Sequence, residues 1–339
     1  MNITGSSPGS KARRKKWLRR GFSLALFLLM PVLLFMLVKN LQWQDLKSAL
    51  QSYDAMTLTL ASLASIAGYA TYCSFDLLAR FYTRHNLPTR QIIPVVFVCY
   101  TFNLNIGAWL GGIALRYRLY SRLGLRTSVI TKIFSFSFIT NWLGYIAISG
   151  VVFSMRLIDL PPDWSLGTSS LQVIGFGLLV ATAVYLLACR LSKRRVWHIG
   201  KHPLTLPSLR LALIQALLGA LNWALMALLI YILLPEQAYF PSILSVLLIS
   251  SMASAMAHIP AGLGVIEAVF LALLQHQFSQ SALLAALIGY RVLYFLLPLA
   301  LACVVYLVLE KRAKKLRSQR TADNAHADDL NHLPAQEPR

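Results

Sequence analysis

His258-Ile259-Pro260-Ala261-Gly262-Leu263-Gly264-Val265-Ile266-Glu267 interrupts an otherwise apolar run from Ile243 to Leu274. Proline removes a backbone donor and the two glycines loosen the chain, so a helix cannot run straight through. In hydrocarbon each unpaired backbone group costs several kcal/mol, and such a break survives only where it is packed in protein or lines a cavity. Glu267 then places a carboxylate inside an apolar helix, where an ionisable group points to function. Between Phe240 and Ser281 there is no Lys, Arg or Asp. One helix through the 36 residues from Ser242 to Gln277 would be about 54 Å long, against a hydrocarbon core of about 30 Å. The segment therefore reads as two arms hinged at Pro260 to Gly264, a re-entrant hairpin that returns to the face it entered from.

Composition agrees with a membrane setting. Of 339 residues, 57% are hydrophobic and 13% charged, and the mean hydropathy is +0.60. That is more apolar surface than a soluble core buries, and it indicates a polytopic membrane protein. The net charge of +20 does not indicate nucleic acid, because the positive residues are confined to stretches between apolar runs. They report orientation instead. Cys73, Cys99, Cys189 and Cys303 lie in or beside apolar spans with no metal-like spacing, and His198 and His202 have no carboxylate partner, so neither a disulfide framework nor a metal site is expected. No cofactor is implied.

Residues 1–20 form a basic tail, followed by an apolar run 21–38 with no small-residue cleavage site after it; an uncleaved first helix with a cytoplasmic N-terminus is expected. Further crossings are expected at 57–78, 133–153, 171–189, 211–234 and 282–309, with a basic cytoplasmic loop at 190–210. The run Ile92 to Ala114 is long enough to cross, yet basic residues flank it on both sides, from Arg80, Arg84 and Arg90 to Arg116, Arg118, Arg122, Arg126 and Lys132. A second hairpin over 91–125, bent near Asn103 to Gly107, keeps both ends on one face. Asp76, four residues before Arg80, reads as half of a surface ion pair. After 310 the chain is basic and then polar, and 321–339 is expected to be disordered. The fold expected is all-α, with about six full crossings and two oppositely oriented re-entrant hairpins. In that scheme 28 of the 32 Lys and Arg residues lie on the cytoplasmic face.

The hairpins resemble each other: Gly107-Ala108-Trp109-Leu110-Gly111-Gly112-Ile113 leads to Arg116, and Pro260-Ala261-Gly262-Leu263-Gly264-Val265-Ile266 leads to Glu267. Crossing, hairpin, crossing occurs once from each face, an inverted repeat of the kind that places broken helices and their polar ends near the midplane of transporters. The breaks are Gly107, Gly111, Gly112, Pro260, Gly262 and Gly264. Arg116, Arg118 and Arg122 suit a phosphate, because guanidinium forks match its oxygens. Glu267 and Arg291 are the internal charges for a gate or substrate site; equally, they can pair with each other and tie hairpin to helix. Asn103, Asn105, Asn141, Asn222 and His258 would add polar lining, or bond between helices.

Asn103 with Gly111-Gly112 and Arg116-Tyr117-Arg118-Leu119, then Pro260-x-Gly262-x-Gly264-x-x-Glu267, then Tyr290-Arg291 with Pro298 together resemble the bacterial family named after the flippase-like transmembrane region of lysylphosphatidylglycerol synthetase. The resemblance covers nearly all of the apolar region. It implies an inner-membrane polytopic fold with re-entrant elements, and phospholipid translocation as the associated activity. The large aminoacyl-transferring domain of the synthetases has no counterpart after Leu309, so lipid aminoacylation is not expected. A transporter or scramblase-like protein moving an anionic phospholipid is the leading expectation. A non-transporting partner of lipid-synthesis or envelope-transport machinery is the alternative. An intramembrane headgroup enzyme using Glu267 or His258 as base lacks a convincing set of catalytic partners, and no Gly-Lys-Ser/Thr phosphate loop is present for ATP.

Overall fold

Hydrocarbon offers no hydrogen-bond partners, so the apolar runs satisfy their backbone groups internally and fold as helices. The computed structural model describes residues 51, 53–157, 168–192, 196–199, 202–234, 238–257 and 260–311. The expected first crossing at 21–38, both charged tails and His258 lie outside the described residues.

Helix α1 spans Ala55–Thr83 and starts on Asp54, whose carboxylate accepts the Thr57 N–H at 3.0 Å; hydrogen bonding from Thr57, first through its side chain and then through its backbone, holds the Asp54 carboxyl below its ordinary range. Helix α2 (Thr89–Ile106) ends at Gly107, where φ is 100°, and a π-helical segment Ala108–Ala114 leads into α3 (Leu115–Arg122). Helices α4 (Thr127–Ser154), α5 (Thr168–Leu191) and α6 (Leu209–Leu233) follow. Helix α7 (Phe240–Ala257), a short 3-10 turn Pro260–Gly262 and α8 (Val265–Leu274) form the second interrupted region. The last helix, α9, runs from Gln280–Lys311 with a π-helical stretch at Val292–Leu296. Strands β1 (Val196–Ile199) and β2 (His202–Thr205) form a small antiparallel hairpin in the basic connection, where sequence predicts only a loop.

The chain is an all-α polytopic membrane protein, with six described helices long and apolar enough to cross. Five of them match expected crossings within a few residues. The sixth is α7, the first arm of the second hairpin, whose 18 residues span about 27 Å. By length and composition that arm alone could cross the core, and α8 packs back onto it.

Helices α1 and α4 both pack along α6. The α4–α6 crossing is close because glycine faces glycine: a Cβ on Gly219 would lie 2.2 Å from the Thr140 carbonyl oxygen, and one on Gly144 would lie 2.0 Å from Gly219. Small residues are what allow membrane helices to approach this far. Gly219→Leu is expected to force the pair apart and cost about 1–3 kcal/mol, read as a lower melting temperature in detergent, with Leu217→Ala on the exposed face as the neutral control.

Candidate functional site

The first hairpin closes because Gly111 has no side chain. A Cβ there would lie 2.2 Å from the Phe102 carbonyl, and one on Gly112 would lie 2.7 Å from Asn103 Oδ1, so the returning arm rests directly on the backbone of α2. Gly107 N–H donates to the Asn103 carbonyl at 3.0 Å and Gly111 N–H to the Gly107 carbonyl at 3.0 Å, which satisfies the break internally. Asn103 is half-buried over Gly112. Asn105 is buried and spends its amide N–H on the Thr101 carbonyl at 2.8 Å, leaving Oδ1 without a protein partner.

The second break is a left-handed turn. Ala261, Gly262 and Gly264 have φ of 55°, 58° and 79°, a region where a Cβ is strained and glycine is at ease. A side chain on Gly262 would also meet Ser254 Oγ at 2.7 Å. Glu267 caps the helix that follows, its Oε2 accepting the Gly264 N–H at 2.9 Å.

Arg291, on the neighbouring helix α9, holds this turn from outside. Its Nε donates to Glu267 Oε1 at 2.5 Å and one terminal nitrogen to Oε2 at 2.9 Å, a two-pronged pair. The other N–H groups reach the Ala261 and Gly262 carbonyls, each at 3.2 Å. Arg291 is 4% exposed, whereas the Glu267 side chain is 22% exposed and so lies on an open rim. Of the two readings left open by sequence, mutual pairing is therefore present; it leaves Glu267 reachable.

Asp76 is not half of a surface ion pair. It is fully buried, and its partner is Arg116 at 3.1 Å instead of Arg80. Tyr120 donates to Oδ2 at 2.6 Å and Ser137 to Oδ1 at 2.5 Å. The helical spacing of four pointed to Arg80, but α3 and α4 fold over that face and bring in a buried guanidinium. Arg116 is thus committed to a carboxylate and is 3% exposed, with Nε unpartnered. Arg118 and Arg122 lie further along α3, half-exposed to exposed, and converge on Glu310 of α9. The arginines grouped by sequence therefore divide between two locations. Asn222 is buried beside Met226, with Oδ1 unpartnered, and Asn141 is half-buried, its carbonyl accepting from Trp223 at 3.4 Å.

Sequence reasoning missed the tyrosines between the two buried ion pairs. Tyr72 faces the Arg116 guanidinium and stacks on Tyr100 with ring centres 3.4 Å apart. Tyr100 and Tyr294 share a hydrogen bond of 2.9 Å, and Tyr69 donates to the Tyr294 carbonyl at 3.0 Å. Tyr290 stacks on Tyr294, lies within electrostatic reach of Arg291 and Glu267, and has a buried hydroxyl with no protein partner. The signal was available: Tyr69 and Tyr72, and Tyr290 and Tyr294, recur at helical spacing inside apolar spans, away from the interfacial belts where tyrosine is ordinary. Helix α2, which carries Tyr100, also packs against the Pro260–Gly262 turn, so the first hairpin meets the break of the second.

The family model for the lysylphosphatidylglycerol synthase transmembrane region matches residues 22–302. The chain is 45% identical to inner membrane protein YbhN of Escherichia coli over 297 residues, 87% of this chain and 93% of the relative. It is 31% identical over 267 residues to the uncharacterized protein slr0712 of Synechocystis, covering 77% of this chain and 81% of that one. With the paired glycine hairpins and the Glu267–Arg291 clamp in place over the matched region, the chain belongs to the lysylphosphatidylglycerol synthase transmembrane-region family.

Proposed function

We propose that this protein moves an anionic phospholipid between the leaflets of the bacterial inner membrane along the seam where its two hairpins meet. In this reading the hairpins dip from opposite faces as an inverted repeat, and both termini are cytoplasmic, as the distribution of Lys and Arg favours. The observation that carries it is the contact of α2 with the Pro260–Gly262 turn, lined by buried hydroxyls, amides and two guanidiniums inside otherwise apolar spans.

A headgroup crossing about 30 Å of hydrocarbon unaided loses its hydration. The unpartnered Tyr290 hydroxyl can donate to the phosphate, and the Asn105 and Asn222 amide oxygens can accept from headgroup hydroxyls, while the acyl tails stay in lipid. The Glu267–Arg291 pair serves as the gate. A phosphate competing for the Arg291 fork would free Glu267, which already lies on the rim, and loosen the turn that Arg291 pins through two carbonyls. Both carboxylate oxygens are engaged, which favours a gate over a catalytic base. The drive is an ion gradient or membrane potential, or the exchange is passive, since the sequence carries no ATP-binding loop.

The test is the protein reconstituted in vesicles holding fluorescent phosphatidylglycerol, with outer-leaflet dye quenched chemically. The wild-type protein is expected to speed leaflet exchange, and Glu267→Gln, which keeps shape and removes charge, to reduce the added rate about tenfold or more, the equivalent of about 1.4 kcal/mol. Exchange no faster than in protein-free vesicles would overturn the reading, and headgroup turnover would replace it with an enzyme.

A further inference from the structure

Arg118 and Arg122 lie one helical turn apart on α3, and both reach the same carboxylate at the far end of α9. Arg118 donates to both Glu310 oxygens, at 3.3 and 3.2 Å. Arg122 donates through one terminal nitrogen to Oε1 at 3.0 Å and through the other to Oε2. Two guanidiniums closing on one small anion, one of them as a fork, is a geometry in which phosphate oxygens are bound. Tyr306 supports the arrangement with its ring under the Arg118 guanidinium, 5.8 Å from the centroid.

The setting differs from that of the buried Asp76–Arg116 pair. The side chains of Arg118, Arg122 and Glu310 are 16%, 28% and 18% exposed, against 4% and 0% for Arg116 and Asp76. Exposed Arg126 and Lys311 flank it in sequence. A pair in which both partners keep some exposure is held less tightly than a fully buried one and exchanges more readily. We infer that Arg118 and Arg122 form a phosphate-recognising site at the basic end of the first hairpin, and that Glu310 is its internal occupant, displaced when a phosphate-bearing anion binds. The site goes beyond the seam between the hairpins. Because α3 continues directly from the π-helical arm that rests on α2, exchange at this site alters what holds that arm to the last helix.

The experiment is native mass spectrometry of the full chain in detergent with added phosphatidylglycerol or phosphatidylcholine, alongside a melting curve for each variant. Glu310→Gln removes the competitor and is expected to raise phosphatidylglycerol retention about five- to tenfold, with a smaller rise for phosphatidylcholine, whose phosphate is offset by its own choline cation. Adding Arg122→Gln, the most exposed member, is expected to abolish the gain, and Arg118→Gln/Arg122→Gln to lower retention below the parent. Excess inorganic phosphate that strips the lipid from Glu310→Gln would identify the phosphate group itself as the ligand; lipid that stays bound would identify the intact headgroup. Retention in Glu310→Gln equal to the parent at an unchanged melting temperature overturns the inference and leaves a structural ion pair. The readout is binding, so it can fail while leaflet exchange persists, and leaflet exchange can fail while it succeeds.

Discussion

Arg291→Ala is expected to lower stability by about 3–5 kcal/mol, enough to erase a large share of the margin by which membrane domains of this size stay folded. Removing the guanidinium leaves the Glu267 carboxylate without its cation and the Ala261 and Gly262 carbonyls without their donors, in a turn whose φ angles are already positive. The Glu267 rim position, 22% exposed, places the carboxylate share at the lower end of that range, because water or headgroups can solvate it in part. Thermal unfolding in detergent, followed by tryptophan fluorescence, measures the loss. Glu267→Gln/Arg291→Ala is expected to recover the charge part and not the carbonyl part, so it should fall between the parent and Arg291→Ala. A double variant no more stable than the single one would mean that the ion pair contributes nothing and that only the backbone bonds hold the turn.

Asp76→Ala is expected to be comparably severe, about 3–5 kcal/mol, because the Arg116 left behind is buried and has no other carboxylate among the described residues near it. The Tyr120 and Ser137 hydroxyls would lose their acceptor as well, so α1, α3 and α4 come apart at one point. Asp76→Asn keeps an acceptor and is expected to cost less. Pairing Asp76→Ala with Arg116→Met removes both charges and should restore most of the stability, since an apolar replacement of a whole buried pair is often neutral. Chemical denaturation of the parent, Asp76→Ala, Arg116→Met and the double variant gives the coupling directly; additive losses would contradict the arrangement. The partly exposed Glu310 pair supplies the contrast, with about 1 kcal/mol at stake.

Much of this architecture is legible in the residues. The distribution of apolar runs and basic stretches predicts a multi-pass helical protein, and five of the expected crossings lie within a few residues of described helices, because hydrocarbon leaves helices as the way to satisfy the backbone. Pro260, Gly262 and Gly264 mark the second break for an equally local reason: a left-handed turn selects residues that tolerate positive φ. The break at Gly107 is visible in the same way, and Gly111 and Gly112 read as a loose stretch before their role as a contact surface for α2 is known.

The partners of the charges are not local. Sequence spacing joined Asp76 to Arg80 and grouped Arg116 with Arg118 and Arg122, because it ranks neighbours by distance along a helix. Folding ranks them by which helices meet. Arg116 turns inward to Asp76, and Arg118 and Arg122 turn to Glu310 at the other end of the chain. The line of tyrosines from Tyr72 to Tyr290 exists only once α1, α2 and α9 are packed together. Where helices form and where they must break can be read from the residues, since those costs are set within a turn or two of backbone. Which buried charge neutralises which follows from the packing of the helices, since a charge in hydrocarbon is stabilised by a partner at contact distance, wherever along the chain that partner begins.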